Sequence, residues 1–391
     1  MRRLTELLRA LALVVASGAQ PEYAAAAPPA AASPAASPPV PGFAAALEPR
    51  TFEFPRDHGP HPEFRQEWWY VTGNLDAADG ERFGFELTFF RVALVPQSTA
   101  RSAEPPAALA ALAAPASAGS AWRAHEIYMA HFALTDVARK RFRFEQKLSR
   151  AALALAGAQA EPLRVWLDDW ALKASGASWQ LHAAQPGYSI DLVLELQSAP
   201  VLNGAAGLSR KSDQAADATY YYSIPRLGMR GRLLRDGRAI EVRGLGWLDR
   251  EWGSGGLGPS EVGWDWFGLQ LADGSTLMFY ALRDRDGRRE AHSAGTWMAP
   301  DGNVRALTDA DVGIAVNGEW RNGSGDRYPA GWHIRVPALT LDLRVLPVLA
   351  DQELQTTPRY WEGAVDVSGE RAGTSLSGRG YVELVGYAQE R

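Results

Sequence analysis

From Phe52 onward the chain is punctuated by two-residue turn signals. Asp-Gly pairs fall at 79–80, 236–237, 273–274, 286–287 and 301–302, and Asn-Gly pairs at 203–204, 317–318 and 322–323. Such pairs accept the positive φ angles of tight hairpins. Between them run stretches that alternate in side-chain character, such as Phe83-Gly84-Phe85-Glu86-Leu87-Thr88-Phe89 and Ile190-Asp191-Leu192-Val193-Leu194-Glu195-Leu196. Many short strands with tight turns and few helical stretches predict an all-β protein of antiparallel barrels or sandwiches. The 391 residues suit roughly two domains of about 150 residues each. A weak internal echo agrees. Trp69 to Gly73, the Asp79-Gly80 turn and an aromatic strand ending at Arg91 match Trp264 to Gly268, the Asp273-Gly274 turn and a strand ending at Arg283. The reading is two β domains, 48–225 and 226–391.

Tryptophan and acid cluster in both halves. Glu67-Trp68-Trp69-Tyr70 stands in the first; Gly246-Trp247-Leu248-Asp249-Arg250-Glu251-Trp252 and Gly263-Trp264-Asp265-Trp266-Phe267 follow later. Alternate strand residues share a face. Trp247, Asp249 and Glu251 therefore share one, and Trp264 and Trp266 another, with Asp265 pointing away beside Phe267 and Leu269. Two readings are open. In one, the acids lie in an apolar pocket, where burial keeps a carboxyl protonated near neutral pH and ready to donate a proton to an alkene or carbonyl. Neighbouring indole faces would then stabilise a developing cation. In the other, the acids are paired with Arg250, Arg243 or Arg283 and only fix the fold. Glu67, Trp69, His131 and Tyr221 carry the same pair of readings: cavity lining, or closure of a domain interface.

The N-terminus reads as an export signal. Arg2, Arg3 and Arg9 precede a short apolar run, Leu11 to Ala16, and small residues follow up to Ala26. That run is short of the about 20 residues that span a bilayer. Residues 1–26 are thus expected to be a signal peptide, 27–47 an Ala/Pro-rich linker, and the mature chain periplasmic or secreted with no transmembrane segment. Residues 97–121 read as a long Ala/Pro/Ser loop, with a short helix around 107–114 and a lid as one role. There is no cysteine, so no disulfide framework and no lipidated N-terminal Cys. A net charge of −5 gives no basic footprint for nucleic acid.

Several chemistries lack their motif. No Gly-x-Ser-x-Gly pentad is present. His125-Glu126 with His131 misses the zinc-helix spacing, because Met129 stands where the second His belongs. No dinucleotide or phosphate loop follows a βαβ pattern, so neither a cofactor nor a metal is expected.

The run Phe54-Pro55-Arg56-Asp57-His58-Gly59-Pro60-His61, leading to Glu67-Trp68-Trp69-Tyr70-Val71-Thr72-Gly73-Asn74-Leu75, closely resembles the signature of the AttH-like proteins. The likeness continues through Met129-Ala130-His131-Phe132-Ala133, Trp166-Leu167-Asp168-Asp169-Trp170, Tyr221-Tyr222-Ser223, Asp249-Arg250-Glu251-Trp252 and Tyr360-Trp361-Glu362-Gly363. It implies two lipocalin-like antiparallel β-barrels packed side by side, in a superfamily shared with the carotenoid 1,2-hydratases. It further implies a hydrophobic, isoprenoid or lipid-like ligand. By this resemblance Asp249 and Asp265 are the acids of an alkene hydration, with Trp264 and Trp266 as cation stabilisers; Glu67, Trp69, His131, Tyr221, Trp247 and Glu251 are the further candidates for the ligand wall from the reading of the residues. Arg250-Glu251-Trp252 departs from the hydratases and follows the AttH-like branch. That branch implies a different role, as an accessory or carrier protein for an ABC transporter or as a secreted hydrolase.

Overall fold

The computed structural model describes residues 40–96 and 125–388. The expected signal peptide, the linker up to residue 39 and the loop 97–121 lie outside the described residues. The first sheet begins with β1 (Gln66–Ala77), β2 (Arg82–Ala93), β3 (Glu126–Asp136) and β4 (Arg141–Arg150). It continues with β5 (Ala156–Gln159), β6 (Arg164–Leu167), β7 (Trp170–Ser175), β8 (Ser178–Gln185) and β9 (Tyr188–Leu196). Short β10 (Val201–Leu202) and β11 (Leu208–Arg210) precede the long hairpin of β12 (Ala218–Arg235) and β13 (Arg238–Gly253). Then come β14 (Glu261–Leu271), β15 (Thr276–Asp284), β16 (Ala294–Met298), β17 (Val304–Thr308), β18 (Gly313–Val316), β19 (Glu319–Arg321) and β20 (Arg327–Pro329). The chain closes with β21 (Trp332–Val336), β22 (Leu341–Pro347), β23 (Glu353–Leu354), β24 (Tyr360–Arg371) and β25 (Thr374–Val385).

The first sheet is ordered β4-β3-β2-β1-β13-β12-β9-β8-β7-β6-β5, and β6 lies back against β2, β3 and β4, nearly closing a barrel. The second is ordered β17-β16-β15-β14-β25-β24-β22-β21-β18 and forms a half-barrel. Each opens with a four-strand meander whose first strand pairs with the last strand of its sheet, β1 with β13 and β14 with β25. The internal echo of the sequence thus lies on equivalent hairpins. Asp236 and Gly237, both at positive φ (51° and 82°), make the turn between β12 and β13.

Two boundaries differ from the sequence reading. The expected break at 225/226 falls inside β12. Pro225 sits where the β12–β13 register shifts between Ile224 and Leu227, and a bulge is where a strand tolerates proline. The sheets change over between β13 and β14 instead. The expected linker also ends early: Ala46 is fully buried in the first core, and the Ala44 N–H donates to the Glu63 carbonyl at 2.9 Å.

Strand β1 explains the apolar run Trp68-Trp69-Tyr70-Val71. Trp69, Val71 and Leu75 point into the first barrel with Phe85, Leu248 and Trp252. Tyr70 points outward, into a second cluster with Tyr221, Trp247, Trp266, Met278, Tyr280 and Tyr381 that joins the two sheets. A strand buried on both faces reads as continuous rather than alternating. Polar pins cross the joint. The Tyr70 hydroxyl donates to Glu362 Oε1 (2.6 Å), Asn74 Nδ2 to the Gly380 carbonyl (3.1 Å), and Gln270 Nε2 to the Pro225 and Gly246 carbonyls (both 2.7 Å).

Candidate active site

Where the two sheets meet they leave a cavity of about 170 Å³. A dry cavity of about 150 Å³ admits benzene, so the space suits one ring or a short branched chain. Its wall is largely aromatic: Trp68, Tyr70 and Phe90 from the first sheet, Trp264, Trp266 and Tyr280 from the second. Partly exposed Gly255, Gly256, Leu257 and Pro358 also line it.

Asp249 enters this wall from β13. It is 4% exposed and has no ion-pair partner among the described residues. Three donors converge on it instead. The Tyr221 hydroxyl reaches Oδ2 at 2.5 Å; the Ser223 hydroxyl and Trp247 Nε1–H reach Oδ1 at 2.6 and 2.7 Å. Tyr221 in turn accepts from Trp266 Nε1–H at 3.0 Å. Burial outweighs the three donors and pushes the Asp249 carboxyl up to about 7. Strand alternation makes this arrangement: Tyr221 and Ser223 on β12 and Trp247, Asp249 and Glu251 on β13 all face outward, while Tyr222, Leu248 and Arg250 face the barrel core.

A second carboxyl, Glu383, comes from β25. It is walled in by protein yet keeps accessible surface facing the cavity. Trp264 Nε1–H donates to its Oε2 at 2.8 Å. Burial pushes it up to about 7, Trp264 pulls it back, and Asp249 adds like-charge repulsion. Glu251 also lines the cavity, accepting from the Thr219 hydroxyl at 2.5 Å and pairing with Lys211 at 3.1 Å.

The other expected site residues divide between wall and support. Tyr221, Trp264 and Trp266 line the cavity; Trp247 lies behind it and holds Asp249. Trp69 faces the barrel core, under the Arg250 guanidinium at 3.9 Å, and Trp68 takes its place on the wall. Glu67 touches the cavity but is bound to Arg91 (2.5 Å) and Arg250 (2.6 Å), with the His61 N–H also donating to it (3.1 Å). Burial would raise its pKa, yet the two guanidinium groups hold it well below the carboxylate range. His131 stands behind Tyr360, its Nδ1 2.7 Å from the Tyr360 hydroxyl, and desolvation lowers it to about 3. Gln146 Nε2 donates to His131 Nε2 at 2.9 Å, so Nδ1 carries the proton and donates to Tyr360.

Asp265 departs furthest from its expected place. It points into the second core with Phe267 and Leu269, where Arg283 Nε binds it at 2.8 Å and the Tyr387 hydroxyl at 2.9 Å. It does not line the cavity. The acids thus part company: Asp265 and Glu67 are ion-paired, and Asp249 has no ion-pair partner among the described residues. The His58-Gly59-Pro60-His61 run is likewise structural. His58 Nδ1 lies 2.7 Å from the Tyr222 hydroxyl, and His61 stacks on Trp252 at 3.8 Å.

A family model described as AttH-like matches residues 45–387. The chain belongs to the AttH-like family. A Nitrosomonas europaea protein assigned to AttH has a similar solved structure, at TM-score 0.75 and 33% identity over 90% of this chain and 100% of that one. Kievitone hydratase from Nectria haematococca shares the fold at TM-score 0.65 and 14% identity, over 89% of this AttH-like chain and 96% of its own. The dehydratase asqC of Emericella nidulans is 25% identical over 221 residues, which is 53% of this chain and 60% of that enzyme. The AttH-like chain thus matches less than two thirds of that dehydratase's length.

Sequence reasoning missed Glu383, Lys211, Trp68 and Tyr70 as wall residues. Glu383 stands in a plain strand, Val382-Glu383-Leu384, whose alternation marks it only as outward-facing. Lys211 lies just after the short β11, outside any alternating run.

Proposed function

We propose that this AttH-like protein is a lyase of the hydratase–dehydratase type, adding water to, or removing it from, an alkene in a hydrophobic, isoprenoid-type small molecule held between its two sheets. The observation that carries this reading is Asp249, a buried carboxyl without a cationic partner, with a pKa near 7, on an aromatic cavity wall. A hydratase with the same fold and a dehydratase among the relatives support it.

In the hydration direction, protonated Asp249 gives its proton to the less substituted alkene carbon. The cation that forms at the other carbon faces the indoles of Trp266, Trp264 and Trp68, whose π-faces stabilise positive charge. Water adds to that cation and loses a proton to Glu383, and proton exchange between the two carboxyls resets the site. The reverse sequence removes water. Asp265 keeps a supporting role in this scheme. The basic N-terminal segment supports export to the periplasm or beyond, and an exporter-associated setting is part of the proposal.

The test is turnover of prenyl-chain alkenes in ¹⁸O-water, followed by mass spectrometry of the alcohol. Wild type should incorporate the label, and Asp249→Asn should lose about 10²-fold or more, the usual worth of a general acid. Equal turnover in that variant would falsify the assignment. Tight ligand binding with no turnover in wild type would replace it with the carrier role.

A further inference from the structure

Two cationic side chains line the cavity, Arg91 and Lys211. Arg91 is committed to Glu67, Glu126 and the carbonyls of His61 and Phe64. Lys211 is not saturated in this way. Its Nζ donates to the Ser209 hydroxyl at 3.1 Å and pairs with Glu251 Oε1 at 3.1 Å, lying 4.3 Å from the centroid of the Tyr280 ring. An ammonium carries three N–H donors. The third has no oxygen or nitrogen acceptor among the described residues, only the ring faces of Tyr280 and Tyr221 nearby, and the side chain is 12% exposed on a cavity wall.

An ammonium withdrawn from water is costly unless paired. Burial lowers the Lys211 pKa, but Glu251 more than restores it, so the group stays charged. The pair as a whole is neutral. It therefore offers a donor, and at Glu251 an acceptor, without attracting an anion. Asp249 and Glu251 are two residues apart on one face of β13, which sets their Cα atoms about 7 Å apart along the strand.

We infer that Lys211 and Glu251 form a subsite for a neutral carbonyl or hydroxyl oxygen of the ligand, about 7 Å along the wall from Asp249. The ligand class is then an amphipathic alkene with an oxygen about four or five bonds from the double bond, not a hydrocarbon polyene. A pure hydrocarbon would strand the third N–H against apolar carbon, at a cost of about tenfold or more in affinity. The role of the alkene end rests on the proposed lyase reading; the oxygen subsite is a statement about binding alone.

The experiment titrates the whole mature protein, by quenching of its cavity tryptophans, with a matched pair of probes: 6-methyl-5-hepten-2-one and the hydrocarbon 2-methyl-2-heptene. Wild type should prefer the ketone by about tenfold or more. Lys211→Met should lose that preference, with the hydrocarbon bound more tightly than by wild type because no N–H is then stranded. The double variant Lys211→Met, Glu251→Gln leaves no uncompensated buried charge, and it should behave as the single one does even where the single one folds poorly. The inference is overturned if both variants keep the ketone preference, or if wild type shows none. Asp249→Asn should retain the preference, so loss of the lyase reading and loss of this subsite give different results.

Discussion

Asp249 and Glu383 reach one cavity from different sheets, Asp249 from β13 and Glu383 from β25. Each accepts an indole N–H, and burial pushes each up to about 7. Both therefore change protonation in one window around neutrality, and the charge on Asp249 is part of what raises Glu383. Neither sheet alone contains this pair.

That window sets the pH dependence. An acid that must be protonated and a base that must be ionised predict a bell-shaped kcat/KM with its maximum near pH 7. Activity should fall above the maximum as Asp249 loses its proton, and below it as Glu383 gains one. A rate still rising at pH 9 would remove Asp249 as the acid.

The same shift acts on stability. The folded Asp249 carboxyl titrates at about 7, against 3.8 for an ordinary one. Between those values the folded state binds more protons than the unfolded state, so stability falls as pH rises through the window and stays low above it. Asp249→Asn should therefore melt higher than wild type at pH 8 and close to it at pH 4, with about 2–4 °C gained per kcal/mol recovered. Thermal scans at the two pH values check this. An equal or lower melting point at pH 8 would mean that the three donors already offset the burial.

Asp265→Asn should separate the two acids of the sequence motif. Arg283 would lose its carboxylate in the second core, and the expected result is lower stability with kcat close to wild type. Urea unfolding and turnover, measured on one preparation, decide it. A kcat loss matching that of Asp249→Asn would bring Asp265 back into the chemistry.

Glu67 is fully buried between Arg91 and Arg250. Glu67→Gln leaves Arg250 without its counter-charge and Arg91 with Glu126 alone, and removing one partner from such a network costs about 3–5 kcal/mol. The midpoint of urea unfolding should fall accordingly. An unchanged midpoint would show that the carbonyls around the two arginines suffice.

Much of this was legible beforehand. The Asp-Gly turns and alternating runs gave the antiparallel strands, and the faces of Trp247-Leu248-Asp249-Arg250-Glu251 and of Trp264-Asp265-Trp266 came out as alternation requires. Glu67 and Asp265 could not be told from Asp249, because each is an acid beside tryptophan with arginine nearby. What differs is whether the guanidinium lies on the same face once strands pair. Arg283 reaches Asp265 across the β14–β15 hairpin, whereas Arg250, next to Asp249 in sequence, turns into the barrel and meets Glu67.

The sequence by itself determined the strands, their faces and the family, since these follow from residue periodicity, turn chemistry and a motif that spans most of the chain. Tertiary structure alone decided where the cavity lies and which side chains share it. Its walls come from outer faces of two sheets, joining Trp68 and Asp249 with Glu383 across more than a hundred residues. Local patterning records only that a side chain faces outward; docking of the second sheet turns that outward face into an interior with a low dielectric, and so pushes the Asp249 carboxyl up to about 7.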